Sequence, residues 1–312
     1  MKIAITGGTG FIGRHLAERY PGDEVVSISR RTGFEIDDVD GLTVAFQGCE
    51  VVAHCAGINR ELPGEGQTYE RIHVQGTAAV VEAARRAGVK KILLLSFLRA
   101  RPDCGSPYHE SKWTAEELVR TSGLDHTILK AGMIYGRGDH LVDHLSHTVQ
   151  TIPVFGTVGL REKPIRPVPV AELVDVLVAA ADGRMSRETV VVTGAEELLL
   201  SEAVRRVARV VGRRVLVVPL PVGGIRMLAG VWERTMTVPL VARSQARMLA
   251  EGVAEPWGVV TEVPADLAPR APFDEEAIRA SLPAPGGFGW RDLRCVRGRA
   301  VENRKPRDLL AE

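Results

Sequence analysis

Charge of one sign is the first thing this 312-residue sequence lacks: 40 Lys and Arg stand against 39 Asp and Glu, a formal net charge of +1. That balance leaves no global field to hold nucleic acid or an anionic membrane, and a small-molecule partner is the expectation instead. Cysteine is scarce as well. Cys49, Cys55, Cys104 and Cys295 form neither a C-x-x-C pair nor a Cys/His metal spacing, which excludes a disulfide scaffold and a zinc module and leaves reduced structural thiols. Long apolar runs are missing too: residues 92–95, Ile-Leu-Leu-Leu, are strand-sized, far below the roughly 18 residues that cross a bilayer, so no membrane span is expected. The N-terminus reads as a buried strand from Met1 and not as a charged leader with a cleavage site, so a cytoplasmic protein is expected.

What is present is the composition of an ordinary globular chain, 45% hydrophobic and 25% charged. The first half alternates short apolar runs with amphipathic stretches, the pattern of a parallel sheet covered on both faces. Strands are predicted over 2–6, 24–29, 51–55, 91–96 and 126–129. Helices are predicted over 14–19 and 74–87, the latter ending at Gly88 as a helix C-terminal glycine. After Gly138 the prolines at 153, 164, 167 and 169 mark a change of character, followed by helices over 171–181 and 201–211. The expected architecture is α/β: a Rossmann-type doubly wound parallel sheet over residues 1–160, then a smaller, mostly helical substrate region over 161–312. A strand at 189–193 is free to join the first sheet. The Arg-rich end, residues 291–312, reads as a solvated edge or a frayed tail.

Directly after the first strand comes Thr6-Gly7-Gly8-Thr9-Gly10-Phe11-Ile12-Gly13, and a helix follows. Strand, glycine turn and helix in succession are what a dinucleotide pyrophosphate requires: glycine permits the sharp turn and the close backbone approach, and the helix start offers free N–H groups and a positive dipole end. Gly7, Gly10 and Gly13, with Phe11 and Ile12 at the helix start, are the candidate phosphate cradle. A glycine turn that merely packs helix on strand is the alternative. At the end of the second strand, where NAD enzymes place an acid for the ribose, the chain reads Ser29-Arg30-Arg31, which suits a 2′-phosphate and favours NADP over NAD.

A second constellation combines Ser96 at a strand end with Pro107-Tyr108-His109-Glu110-Ser111-Lys112. If Pro107 opens a helix, the four-residue spacing stacks Tyr108 and Lys112 on one face. A lysine cation there is expected to favour the phenolate and bring the phenol into proton-exchange range, with Ser96 orienting the substrate oxygen. The catalytic candidates are thus Ser96, Tyr108 and Lys112; an exposed helix turn is the alternative.

Through T-G-G-T-G-F-I-G, V-V-A-H-C-A-G at 51–57, Y-H-E-S-K at 108–112 and G-M-I-Y-G-R-G-D at 132–139, the chain up to about Val192 resembles the short-chain dehydrogenase/reductase superfamily in its extended or atypical branches. That resemblance implies that Ala56 and Gly57 line the adenosine half of the cofactor, that Glu35 and Ile36 sit at the adenine, that Lys112 also holds the nicotinamide ribose, and that Gly132, Met133 and Ile134 pass beside the nicotinamide. Two departures stand out. His73-Val74 replaces the Asn-Val of many members, and Lys130-Ala131 replaces the Arg-Pro of extended ones. The later half is also similar to the branch holding the nucleotide-binding accessory subunit of respiratory complex I, whose members can keep a cofactor without an established reaction. The resemblance therefore implies an NAD(P)-dependent oxidoreductase acting at a carbonyl or hydroxyl carbon, or an epimerase or dehydratase sharing the same residues, or a cofactor-binding protein without turnover.

Weaker signals add little. His140, His144 and His147 with Asp143 read as a polar helix face, and no metal is expected. The stretch 225–240, with Met227, Leu228, Val231 and Trp232, reads as a core helix, with an apolar substrate pocket or partner surface as the alternative. A homodimer is left open.

Overall fold

The computed structural model describes residues 1–62, 64, 66–236 and 243–288. Cys295, the 291–312 segment and the 237–240 end of the apolar stretch lie outside the described residues.

Strands form where the sequence is apolar on both faces. Strand β1 (Ile3–Thr6), β3 (Val51–His54) and β4 (Lys91–Phe97) are buried almost throughout, the condition of a parallel sheet covered from both sides. With β2 (Val25–Ile28), β5 (Asp125–Ala131), β6 (Glu188–Val192) and β7 (Thr261–Glu262) they build a seven-stranded sheet in the order β2-β1-β3-β4-β5-β6-β7. Every pairing in it is parallel. The fold is thus a Rossmann-like doubly wound α/β sheet, and the 188–192 strand joins it beside β5. The order reverses at β1, which has β2 on one side and β3 on the other, so the carboxyl ends of β1 and β3 flank the switch point where such sheets bind ligands.

Helices α1 (Phe11–Ala17), α2 (Val39–Phe46), α3 (Gly76–Ala87), α4 (Pro107–Arg120) and α5 (Val170–Ala181) accompany this sheet. Gly88 closes α3 in the left-handed region at φ 73°, as its position predicts. Helix α3 is preceded by a π-helical turn, Glu70–Gln75, so the helical segment begins before residue 74.

The chain divides into two compact units, and a single cut near residue 160 does not separate them. The first comprises Met1–Gly132, Val170–Thr193 and Glu255–Pro269; the second comprises Met133–Pro169, Gly194–Ala254 and the described residues from Arg270. The reason is β6 and β7, which return to complete the first sheet from later in the chain. Within the second unit, helices Leu141–Thr151, Leu200–Val210, Val222–Thr235, Arg243–Glu251 and Glu275–Ser281 accompany three two-stranded sheets. Asp139 caps the first of these helices by accepting from the Val142 and Asp143 N–H groups. The apolar stretch splits: Ile225 and Ala229 are buried, whereas Met227 (69%) and Val231 (50%) face solvent. The His144 and His147 rings lie against Phe288, and His147 Nδ1 donates to the Asp143 carbonyl. Among the described residues, no helix is long and apolar enough to cross a membrane.

Candidate functional site

The glycine turn sits at the switch point. Gly7 adopts φ 71°, its N–H donates to the Ile28 carbonyl (2.8 Å), and Gly10 N–H closes the turn on the Gly7 carbonyl (2.8 Å). Space is as demanding as conformation. A Cβ on Gly7 would lie 2.8 Å from the Ala56 nitrogen, and one on Gly13 only 2.2 Å from the Gly7 carbonyl oxygen. The first bond of α1 runs from Arg14 N–H to the Gly10 carbonyl, so helix geometry leaves the N–H groups of Phe11, Ile12 and Gly13 without an intrahelical acceptor. Beside this turn, Cys55 N–H donates to the Thr6 carbonyl, which ties the loop after β3 to the loop after β1.

Arg30 and Arg31 form a short 3₁₀ turn past β2, capped reciprocally by Ser29 and Thr32. Both arginines are exposed and neither makes an ion pair among the described residues. Glu35, implied at the adenine, pairs with Arg71 (3.1 Å), which also grips Asp37 at 2.7 and 3.0 Å and draws that carboxyl below the usual aspartate range. Ile36 packs beneath Gly76, where a Cβ would come within 2.9 Å of it. Asp37 and Arg71 carry no local sequence signal, because they meet across 34 residues.

Helix α4 opens at Pro107 and places Tyr108 and Lys112 one turn apart, both buried. Lys112 reaches the loop after β3: a Cβ on Gly57 would sit 3.2 Å from its ammonium. Two expectations need correction here. Ser96 is not presented to Tyr108. Register pairs it with Lys130 on β5, and its hydroxyl donates to Glu116 Oε1 at 2.5 Å in a buried cluster. The next residue, Phe97, alternates to the other face and brings its ring 5.3 Å from that of Tyr108. Nor does Lys112 lower the phenol. Its ammonium donates to the Leu95 carbonyl (3.2 Å), while burial, reinforced by the neighbouring Tyr69, pushes Tyr108 well above its ordinary value. Burial likewise brings Lys112 down to about 8, with Glu116 opposing, and pushes Cys55 up to about 12. Tyr108 is therefore a protonated phenol, ringed by Tyr69, His73, Phe97 and His109.

Gly132 ends the first unit, whereas Met133 and Ile134 begin the second. There the Met133 carbonyl accepts from Val168 N–H (2.8 Å), and Ile134 pairs with Val168.

Beneath the glycine turn, the side chain of His54 is fully enclosed. Thr77 donates to the His73 carbonyl, so it must accept from His54 Nε2–H (3.0 Å), and His54 Nδ1 accepts from the Thr6 hydroxyl (2.6 Å). Burial, with Lys112 adding, depresses His54 to about 3. An unfolded histidine titrates near 6.5, so the unfolded chain binds the extra proton below that pH and the fold loses stability as pH falls towards 3. The expected slope for His54 is about 1.4 kcal/mol per pH unit, readable as urea midpoints between pH 7 and 5. His54→Gln should show a shallower slope; an unchanged one would place the acid sensitivity elsewhere.

Residues 3–157 match the model of the NAD dependent epimerase/dehydratase family. The chain is 35% identical over 153 residues to the ceramide reductase of Caulobacter vibrioides, covering 44% of this chain and 47% of that protein. It is 26% identical over 240 residues to the mouse mitochondrial NADH dehydrogenase [ubiquinone] 1 alpha subcomplex subunit 9, covering 70% of this chain and 63% of the relative. The chain thus spans less than two thirds of either relative's length. Among solved structures, MoeE5 in complex with UDP-glucuronic acid and NAD shares the fold at a TM-score of 0.67 and 19% identity, covering 90% of this chain and 97% of that one. Over residues 3–157, with the glycine turn, the switch point and the Tyr108–Lys112 helix all inside that span, the chain belongs to the NAD dependent epimerase/dehydratase family, within the short-chain dehydrogenase/reductases.

Proposed function

We propose that the chain is a cytoplasmic NAD(P)-dependent oxidoreductase that works at a carbonyl or hydroxyl carbon of a small substrate. The observation that carries this is the meeting of Lys112 with Gly57, which joins the helix bearing Tyr108 to the loop beside the glycine turn. The turn itself fits a pyrophosphate, since the absence of a Cβ at Gly7 and Gly13 lets its backbone pack against Ala56 and on itself, with the N–H groups at the start of α1 left free. Gly7, Gly10 and Gly13 shape the turn, and the N–H groups of Phe11, Ile12 and Gly13, which have no intrahelical acceptor, are the donors for phosphate oxygens. Arg30 and Arg31, exposed and unpaired with any described carboxylate, favour a 2′-phosphate and hence NADP. Ala56, Gly57, Glu35 and Ile36 border the nucleoside half, and Gly132 the nicotinamide half. A bound nicotinamide supplies or accepts the hydride.

The protonated Tyr108 suits the reductive direction, in which a carbonyl oxygen gaining hydride at its carbon takes a proton from the phenol. Lys112 lies one turn away to restore charge balance. Apolar and aromatic walls around Tyr108, together with a relative named for reducing ceramide, support a hydrophobic substrate. A second reading is favoured by Ser96. With its hydroxyl committed to Glu116, Ser96 does not serve Tyr108 and Lys112, which suits a protein that keeps its cofactor without turnover.

Fluorescence titration with NADPH and NADH, then a panel of carbonyl and alcohol substrates, separates the two. NADPH is expected to bind at least about tenfold tighter than NADH. Tyr108→Phe should bind it equally well and lose about 100-fold or more of kcat. Binding with no turnover on any substrate establishes the second reading, and no binding of either cofactor defeats both.

A further inference from the structure

His73 stands where the resemblance leads one to expect asparagine, and its hydrogen bonds show what it does there. Ile58 N–H donates to Nε2 (3.1 Å), so that nitrogen carries no proton. Nδ1 lies 2.9 Å from Ser111 Oγ, whose own hydrogen goes to the Tyr108 carbonyl (3.0 Å), so Nδ1 must donate. One tautomer satisfies every partner: neutral, with the proton on Nδ1. The directions continue below it. Thr77 donates to the His73 carbonyl, His54 donates to Thr77 and Thr6 donates to His54, which leads to the residue just before Gly7. A single chain of oriented hydrogen bonds thus runs from the first turn of α4 to the end of β1.

The ring also fills space that matters. A Cβ on Gly57 would lie 3.5 Å from His73 Nε2 and 3.2 Å from Lys112 Nζ, so the loop is held between the imidazole and the ammonium. We propose that His73 is the positioning residue of this site, a fixed neutral imidazole that locks the loop after β3 to the start of α4 so that Gly57 and Lys112 meet the cofactor in one geometry. The proposal rests on the cofactor reading above. The groups facing the ring are Lys112, Ser111 and Tyr108 from α4, His54 from β3, and Tyr69, stacked on it at 5.4 Å. Lys112 and His54 both oppose a second proton, as burial does more strongly.

Asparagine can accept from Ile58 and donate to Ser111 at once; leucine can do neither. NADPH affinity of His73→Asn is therefore expected within about threefold of wild type, and that of His73→Leu lower by at least about tenfold, since two buried hydrogen bonds lose their partner. Ser111→Ala removes one link without emptying the ring's space and should fall between them. Because His73→Leu could fail to fold, the ¹⁵N spectrum of wild type gives an independent reading: the pattern of a neutral Nδ1–H imidazole, unchanged from pH 8 to 5.5. Wild-type NADPH binding matched by both His73→Leu and Ser111→Ala overturns this proposal alone, as does a His73 that titrates near 6.5 or carries its proton on Nε2. Absence of binding by wild type defeats the cofactor reading instead.

Discussion

Alanine at position 13 is expected to reduce NAD(P)H affinity by more than about 100-fold, because two N–H bonds to a charged phosphate, each contributing about 1.5–3 kcal/mol, depend on the turn it would displace. Its Cβ would lie 2.2 Å from the Gly7 carbonyl oxygen and 2.7 Å from the Gly8 Cα, backbone atoms that can move only if the whole turn moves. Overpacking of that kind costs about 1–3 kcal/mol of stability, a loss visible as a lower Tm but compatible with a folded protein. Gly22→Ala is the matched control, since nothing lies within 4 Å of its added Cβ. Gly10→Ala should be milder than Gly13→Ala, with a nearest atom at 3.0 Å. Folded Gly13→Ala that titrates like wild type would show that the turn does not hold the pyrophosphate.

The local part of this site was legible in the sequence because its signals are short-range. Apolar runs buried on both faces mark β1, β3 and β4, and the glycine turn and the i, i+4 spacing of Tyr108 and Lys112 need only a few consecutive residues. Facing and environment were not legible. Ser96 and Phe97 are adjacent at the end of β4, and only the register with Lys130 decides which meets the ion cluster and which meets Tyr108. The expected effect of Lys112 on the phenol failed for the same kind of reason: spacing puts the two one turn apart, but the ammonium turns to the Leu95 carbonyl and burial raises the phenol. Arg71 with Asp37, and His73 with Ile58 and Ser111, are joined across 34, 15 and 38 residues. Likewise the units interleave because β6 and β7 find their places in the sheet from far along the chain, which composition cannot signal.

Removing the Glu116 carboxylate is expected to cost about 3–5 kcal/mol, the range for breaking a buried ion pair. Glu116 is fully buried and both its oxygens are occupied, Oε1 by Ser96 and Oε2 by Arg120 (2.6 Å) and Lys130 (3.3 Å). Lys130, only 1% exposed, also donates to the carbonyls of Ala100 (3.3 Å) and Trp257 (3.1 Å), and its charge lies 5.7 Å from the Trp113 ring. Burial lowers Lys130 and Glu116 opposes that shift, so Glu116→Gln leaves an ammonium in a dry site without its counter-charge. Lys130→Met is expected to cost less, because Arg120 and Ser96 still hold the carboxylate. The double change Glu116→Leu with Lys130→Met should be milder than the sum of the singles, since it removes both charges and leaves apolar volume beside Trp113 and Trp257. Urea unfolding followed by tryptophan fluorescence measures all three, and single costs below about 1 kcal/mol would show that the pair is solvated in practice. The same substitution reaches the site, for Glu116 is the main group holding the Lys112 ammonium up against burial. Glu116→Gln should therefore lower Lys112 below about 8, shifting the alkaline limb of turnover to lower pH while the Lys130→Met profile stays near that of wild type.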